Sequence, residues 1–204
     1  MPRDISPLNE NEVGVDYLEL LRSSLRELKS AELRSSTPDL YLGLLGEFGF
    51  AKWLSLNKIE HEHKTVTFPD ELKEDFRIQD KRNVGTSVGI DVKTSGIRPP
   101  HSPRILSIGQ FQTIPEHSSI LVWTFYSSWR NSVTIDSWTW VNSLDEARLK
   151  AVTAPPDIAI TNDSALELDF TDVSYVYEIP SFLMRDIEDL KMRLQGFNGG
   201  LNSD

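Results

Sequence analysis

The sequence predicts an α/β protein, and three observations predict it. Two N-terminal segments space apolar residues at helical steps: Leu18, Leu21, Leu25 and Leu28 in the first, and much of residues 37–57 in the second. Between residues 63 and 141, short segments alternate apolar and polar residues as half-buried strands do. No internal repeat or low-complexity linker divides the 204 residues, which suffice for one domain with a real core. The expected organisation is an N-terminal arm and amphipathic helix over 1–36, a core over 37–141, and an extension over 142–204 packed on the same domain.

Residues 1–12 read as a loose polar arm, and residues 13–33 as an amphipathic helix whose leucine stripe is a core face or a dimer seam. Thr37 and Pro38 suit the start of a second helix, with Asp39 favourable at its positive end. That helix runs to about Asn57 and is apolar over much of its surface. Gly43, Gly46 and Gly49 each cost about 1 kcal/mol relative to alanine, so three of them predict close approach to another backbone. Glu47 stands in the middle of this stretch. Next come the strand "HKTVTF", the turn-like "PDELKED", and two antiparallel strands, "DFRIQ" and "SVGIDVKTS", joined by "DKRNVGT". After a Pro-rich loop, "SSILVWTFYSS" and "NSVTIDSWTWV" form another strand pair. Trp138 and Trp140 share a face there, as core or interface residues do. "SLDEARLKAV" reads as a helix, "VSYVYEIP" as a strand, and "SFLMRDIEDLKMRL" as a helix capped by Ser181.

Composition narrows the chemistry. Hydrophobic residues at 39% and charged residues at 25% are ordinary for a globular protein. The absence of cysteine excludes disulfides, zinc–thiolate centres and cysteine nucleophiles. No apolar run reaches the roughly 18 residues of a membrane span. The N-terminal "MPRDISPLNENEVG" lacks the apolar core of a signal peptide, so a cytoplasmic location is expected. There is no P-loop, GxGxxG, EF-hand or nucleophile-elbow serine. The net charge of −10 argues against a protein that coats nucleic acid, but its distribution is uneven. Residues 73–104 hold seven Lys/Arg against four Asp/Glu, a local +3, whereas residues 135–204 hold five against thirteen, a local −8.

Within the basic region, "SVGIDVKTSG" turns Val88, Ile90 and Val92 to one face and Asp91 and Lys93 to the other. An acid and an amine thus project side by side from the end of what reads as a central strand. If "DFRIQ" pairs antiparallel with it, Asp75 and Asp91 have their midpoint at Asn83, inside the connecting loop, and the two carboxylates lie next to each other. Carboxylates so placed raise each other's pKa unless a cation sits between them. Magnesium suits such oxygen ligands. With Lys93 on the same face, the set is suited to metal-assisted phosphodiester hydrolysis. His61 and His63 also share a strand face, but no third ligand is evident nearby in the sequence.

Together, "GEFGFAKWL", "DFRI" and "GIDVKTS" resemble the core of the PD-(D/E)XK nuclease superfamily, which includes restriction endonucleases, Holliday-junction resolvases and several repair and phage nucleases. The resemblance covers roughly residues 37–141, with "ILSIGQFQTIPEHSSILVWTFY" similar to the helix and following strand of that core. It implies a restriction-endonuclease-like αβββαβ core with a mixed central sheet flanked by helices. It places the family's helix glutamate on Glu47 and its (D/E)-x-K on Asp91, Val92 and Lys93. The first aspartate falls on Asp75, which opens the best strand, with Asp70 and Asp80 as alternatives. Glu47, Asp75, Asp91 and the Val92 carbonyl would then hold Mg²⁺, with Mn²⁺ as a substitute. Lys93 would assist the attacking water, and Gln110 or Gln112 would be auxiliary.

The implied activity is a DNA endonuclease of restriction or phage/mobile-element type. Enzymes of this superfamily that cut both strands are often dimers, so the leucine-rich first helix is a candidate homodimer seam. The acidic C-terminal half would face away from DNA or meet a protein partner. The rival class is a non-catalytic module that uses the same fold to bind nucleic acid or protein. A third reading, an acidic mimic of DNA, would show no metal response.

Overall fold

The structure, a computed structural model, describes residues 3–5, 37–64, 74–83, 85–96, 104–127, 129–130, 132–145, 149–153 and 175–199. The amphipathic segment 13–33, Asp70 and the Pro-rich loop around 97–103 lie outside the described residues.

A mixed sheet is the centre of the molecule. Its strands are β1 (Arg3–Ile5), β2 (Glu62–His63), β3 (Phe76–Gln79), β4 (Ser87–Gly96), β6 (Ile120–Ser127) and β7 (Ser132–Trp140), in the order β1-β7-β6-β4-β3-β2. The short β10 (Arg185–Asp186) also pairs with β7. Among the described strands of this sheet only β4 and β6 run parallel, matched from Ile90↔Ile120 to Gly96↔Tyr126, and the other described pairs are antiparallel. A parallel pair needs a long crossover, and the chain between β4 and β6 carries helix α2 (Ile108–Thr113). Helix α1 (Thr37–Leu56) is followed by the antiparallel strands β2, β3 and β4, then by the short β5 (Ile105–Ser107), which belongs to a second sheet, and by α2 and β6. The α/β class and the mixed sheet flanked by helices agree with the sequence expectation. A second, three-stranded antiparallel sheet joins β5 (Ile105–Ser107), β9 (Tyr175–Glu178) and β8 (Lys150–Thr153).

Alternation along the strands makes two cores. On one face Ile90 and Val92, Ile120 and Val122, and Val133, Ile135 and Trp138 pack against Phe50, Trp53 and Leu54 of α1. Ile187, Leu190 and Leu194 of helix α3 (Ile187–Phe197) join the same cluster. On the other face Leu121 and Trp123 meet Leu106, Ile114, Val141 and Ile179. Each fully buried large apolar side chain contributes about 1.5–3 kcal/mol, and truncating Trp53 to alanine costs about 3–5 kcal/mol.

Helix α1 is buried all round from Leu44 to Leu54, and two of its glycines explain how it lies so close to the sheet. A Cβ on Gly46 would come within 1.7 Å of Thr94 Oγ1 in β4, and one on Gly49 within 2.6 Å of Val133 Cβ in β7. Gly43 faces no described neighbour within 4 Å and does not share that role.

Five local expectations change. Arg3–Ile5 is not part of a loose arm: it pairs with Val133–Ile135 on the outer edge of β7, which would otherwise offer unpaired backbone groups. Asp91 and Lys93 do not end their strand, because pairing with β6 extends β4 to Gly96. Residues 105–107 form a strand rather than the start of a helix, and α2 begins after Ser107. Lys150–Val152, expected as helix, and Thr153, expected as loop, instead form β8 and pair antiparallel with β9. Finally, the last helix starts at Ile187 with Asp186 as its cap, not at Ser181. Arg185 and Asp186 are held extended by Trp138 and Ser137, and the Asp186 carboxylate accepts the Glu188 N–H at 2.8 Å.

Candidate active site

The hairpin β3–β4 determines where the acids lie. Its register runs Phe76↔Ile90, Arg77↔Gly89, Ile78↔Val88 and Gln79↔Ser87, so its centre is at Asn83 as the sequence predicts. One position beyond the Phe76–Ile90 pair, Asp75 comes to the level of Asp91. The Asp75 N–H donates to the Ile90 carbonyl at 3.1 Å, and the Val92 N–H donates to Asp75 Oδ2 at 2.6 Å. Val92 thus meets the site through its main chain while its side chain lies in the core. Lys93, two residues on from Asp91 and on the same face, sets its Nζ 2.7 Å from Asp91 Oδ1. No hydrogen-bond donor besides that ammonium reaches this buried oxygen among the described residues. Glu47 arrives from α1, buried, at a height fixed by its neighbour Gly46 against Thr94.

These groups feel one another. Burial, then Glu47, then Asp91 push the Asp75 carboxyl well above the ordinary aspartate range, and Lys93 and the Val92 N–H only partly oppose them. Burial works against the Lys93 ammonium, but Asp91 first, then Asp75 and Glu47, more than compensate and hold its pKa above the ordinary lysine value. Within the set, three carboxyl groups share one ammonium.

The sequence reading missed one neighbour. His63 Nε2 lies 3.0 Å from Glu47 Oε2, and burial lowers the His63 pKa to about 3, so the ring meets the carboxylate as a neutral imidazole. It satisfies Glu47 without adding a cation to the cluster. The "HEH" motif was a visible signal, but what it touches depends on side chains of α1 reaching His63, which no local pattern encodes. His61, in contrast, turns its Nδ1 to the Ile59 carbonyl at 2.9 Å.

Other candidates are engaged elsewhere. Asp80 sits at the opposite end of β3, where its carboxylate accepts the Arg82 N–H and the Asn83 amide, each at 2.9 Å. The Gln110 side chain belongs to a capping box on α2: its Oε1 accepts the Ser107 N–H at 3.1 Å. Gln112 is exposed. His117 gives its carbonyl to a close approach with Gly89, where a Cβ would meet that oxygen at 2.4 Å.

A divalent cation fits the donor chemistry of Glu47, Asp75 and Asp91. All three offer hard carboxylate oxygens, one of them is buried with only an ammonium against it, and the three share one ammonium. Among the described residues no three His, Asp or Glu side chains stand close enough together to hold an ion as they are arranged. No family model, curated protein or solved structure matches the chain. No described helix is long and apolar enough to cross a membrane.

Proposed function

We propose that this protein is a metal-dependent DNA endonuclease whose site is of the PD-(D/E)XK type. The observation that carries the reading is the geometry of Asp75, Asp91 and Lys93 beside Glu47: the hairpin register levels Asp75 with Asp91, the Val92 N–H holds Asp75 Oδ2 at 2.6 Å, and Lys93 Nζ lies 2.7 Å from Asp91 Oδ1. A structural ion pair needs one acid and one base; this set has a surplus of acids that a divalent cation would neutralise. Glu47, Asp75, Asp91 and the Val92 carbonyl would hold Mg²⁺, or Mn²⁺ in its place. When bound, the ion supplies Lewis acidity to the scissile phosphate and lowers the pKa of the attacking water.

The rest is the work of the chain. Lys93, kept as an ammonium, orients the water and stabilises the charge that gathers on the phosphate oxygens. Asp75 and Asp91, fixed by the Val92 N–H and by Lys93, hold their oxygens in place before the substrate arrives. Water adds to phosphorus, the bond to the leaving sugar oxygen breaks, and that oxygen takes up a proton. DNA is the proposed partner, approached through the basic stretch around β3 and β4.

The test is cleavage of supercoiled plasmid, linear duplex, single strand and a four-way junction with Mg²⁺ or Mn²⁺, wild type beside Asp91→Ala. Metal-dependent cutting that disappears in the variant is expected, and the preferred substrate identifies the subclass. No cutting in any lane, with no shift in melting temperature on adding Mg²⁺, Mn²⁺ or Ca²⁺, would sink this reading and favour a binding module.

A further inference from the structure

One side chain at the cluster has no role in the reaction just described. His63 lies on β2, paired so that His63 stands opposite Phe76 on β3. Its ring stacks on Phe76 with centroids 4.3 Å apart and 15° between planes, and meets the edge of Phe48 at 5.5 Å and 80°. Phe48 is the residue after Glu47 on α1, so ring and hydrogen bond grip adjacent positions of one helix. The ring is thus fixed on two sides, and its Nε2 meets Glu47 Oε2 at 3.0 Å.

We infer that His63 is a positioning residue for Glu47: it fixes the direction in which Glu47 presents its carboxylate to a divalent cation. A glutamate has three side-chain torsions, and a hydrogen bond to one oxygen from a ring that cannot turn fixes most of them. Glu47 is only 8% exposed, so solvent does little to orient it. Outer partners of this kind typically change metal affinity about 10–100-fold when removed. This inference rests on the metal-binding part of the function proposed above. Its distinct claim is that the donor atom matters, and not merely a flat ring between Phe48 and Phe76.

Calorimetric titration of Mn²⁺ into the metal-free protein tests it, with melting temperature measured in parallel. His63→Phe keeps the stack and removes the donor; His63→Gln restores an N–H near the Nε2 position. The expected result is affinity at least about 10-fold weaker for His63→Phe and substantially recovered in His63→Gln. In an Glu47→Ala background, His63→Phe should add no further loss, because its effect runs through Glu47. If His63→Phe binds Mn²⁺ like wild type, or His63→Gln recovers nothing, or the loss persists in Glu47→Ala, the inference is overturned while the proposed function stands. Absence of Mn²⁺ binding in wild type would overturn both.

Discussion

Two aspartates bracket β3, and the hairpin gives them opposite surroundings. At the turn end, Asp80 accepts hydrogen bonds from the Asn83 amide and the Arg82 N–H, and the Arg82 guanidinium lies 3.5 Å away. The Asn83 hydrogen bond, above all, holds its carboxyl below the usual range. The turn itself needs Gly85, whose φ of +93° is open to few other residues. At the other end, Asp75 has the Val92 N–H and Lys93 on its side, but burial, Glu47 and Asp91 outweigh them. The two residues share a type, a strand and a hairpin. One is satisfied by its own turn; the other sits beside two more carboxylates. Burial alone is therefore no mark of function here, since Asp80 is buried too. What separates them is the balance: for Asp75 burial and two carboxylates outweigh the groups that favour its charge, whereas for Asp80 the Asn83 amide and Arg82 outweigh burial.

The largest expected difference between the two ends is in catalysis. Asp91→Ala or Lys93→Ala should lower metal-dependent cleavage on the order of 10²–10³-fold or more, as removing a preorganised electrostatic group does. Asp80→Ala should leave the cleavage rate near wild type while lowering the melting temperature. Initial rates on one DNA substrate check all three. Lys93→Ala should also retain much of the stabilisation that Mg²⁺ or Ca²⁺ gives, because it removes no metal ligand. Comparable rate losses at both ends would erase the distinction.

A second contrast lies along α1. Gly46→Ala places a Cβ 1.7 Å from Thr94 Oγ1 and 2.7 Å from Thr124 Oγ1, so the helix or the strand must shift. Overpacking of this kind costs about 1–3 kcal/mol, and a chain of this size loses about 2–4 °C of melting temperature per kcal/mol. Glu47 would move with the helix, so Mn²⁺ affinity should fall as well. Gly43→Ala meets nothing within 4 Å and should be neutral or gain up to about 1 kcal/mol of helix propensity. Thermal melts and Mn²⁺ titrations of the two variants distinguish a glycine that positions the site from one that does not.

The sequence made the site end of the hairpin legible because its information is local. Alternation through Val88, Ile90 and Val92 assigns Asp91 and Lys93 to one face, and a short loop centred on Asn83 fixes the partner of each residue. The second half of the chain was read less well. Lys150–Thr153 and Arg185–Asp186 are strands only because β9 and β7 offer edges to them, and a four- or two-residue pairing leaves little pattern of its own. Helical composition in "SLDEARLKAV" pointed the other way, and tertiary pairing overrode a weak propensity. His63 was missed for a related reason. Its neighbour Glu47 is sixteen residues away, and the two meet only through the packing of α1 on the sheet.

The smallest contrast is the sharpest electrostatic test, because it reverses sign between the ends. Asp75 has a raised pKa in the folded state, so the native protein binds more protons than the unfolded chain above the ordinary aspartate value of 3.8. Its ionisation therefore costs stability, increasingly as pH rises from that value through the raised folded pKa. Asp75→Asn keeps an oxygen for the Val92 N–H and removes the charge. In metal-free buffer it should melt above wild type at neutral pH, and the gain should vanish as pH falls toward 3.8 and below. Asp80 has a lowered pKa, so its contribution is present above 3.8 and is lost as pH falls through the lower folded value. Asp80→Asn should melt below wild type at neutral pH, with the deficit closing in acid. Saturating Mn²⁺ should then reorder only one pair: wild type gains stability that Asp75→Asn largely forgoes, whereas Asp80→Asn gains as wild type does. Equal signs for the two substitutions in metal-free buffer would mean that the acids around Asp75 are already balanced inside the protein, leaving no excess charge for a cation to neutralise.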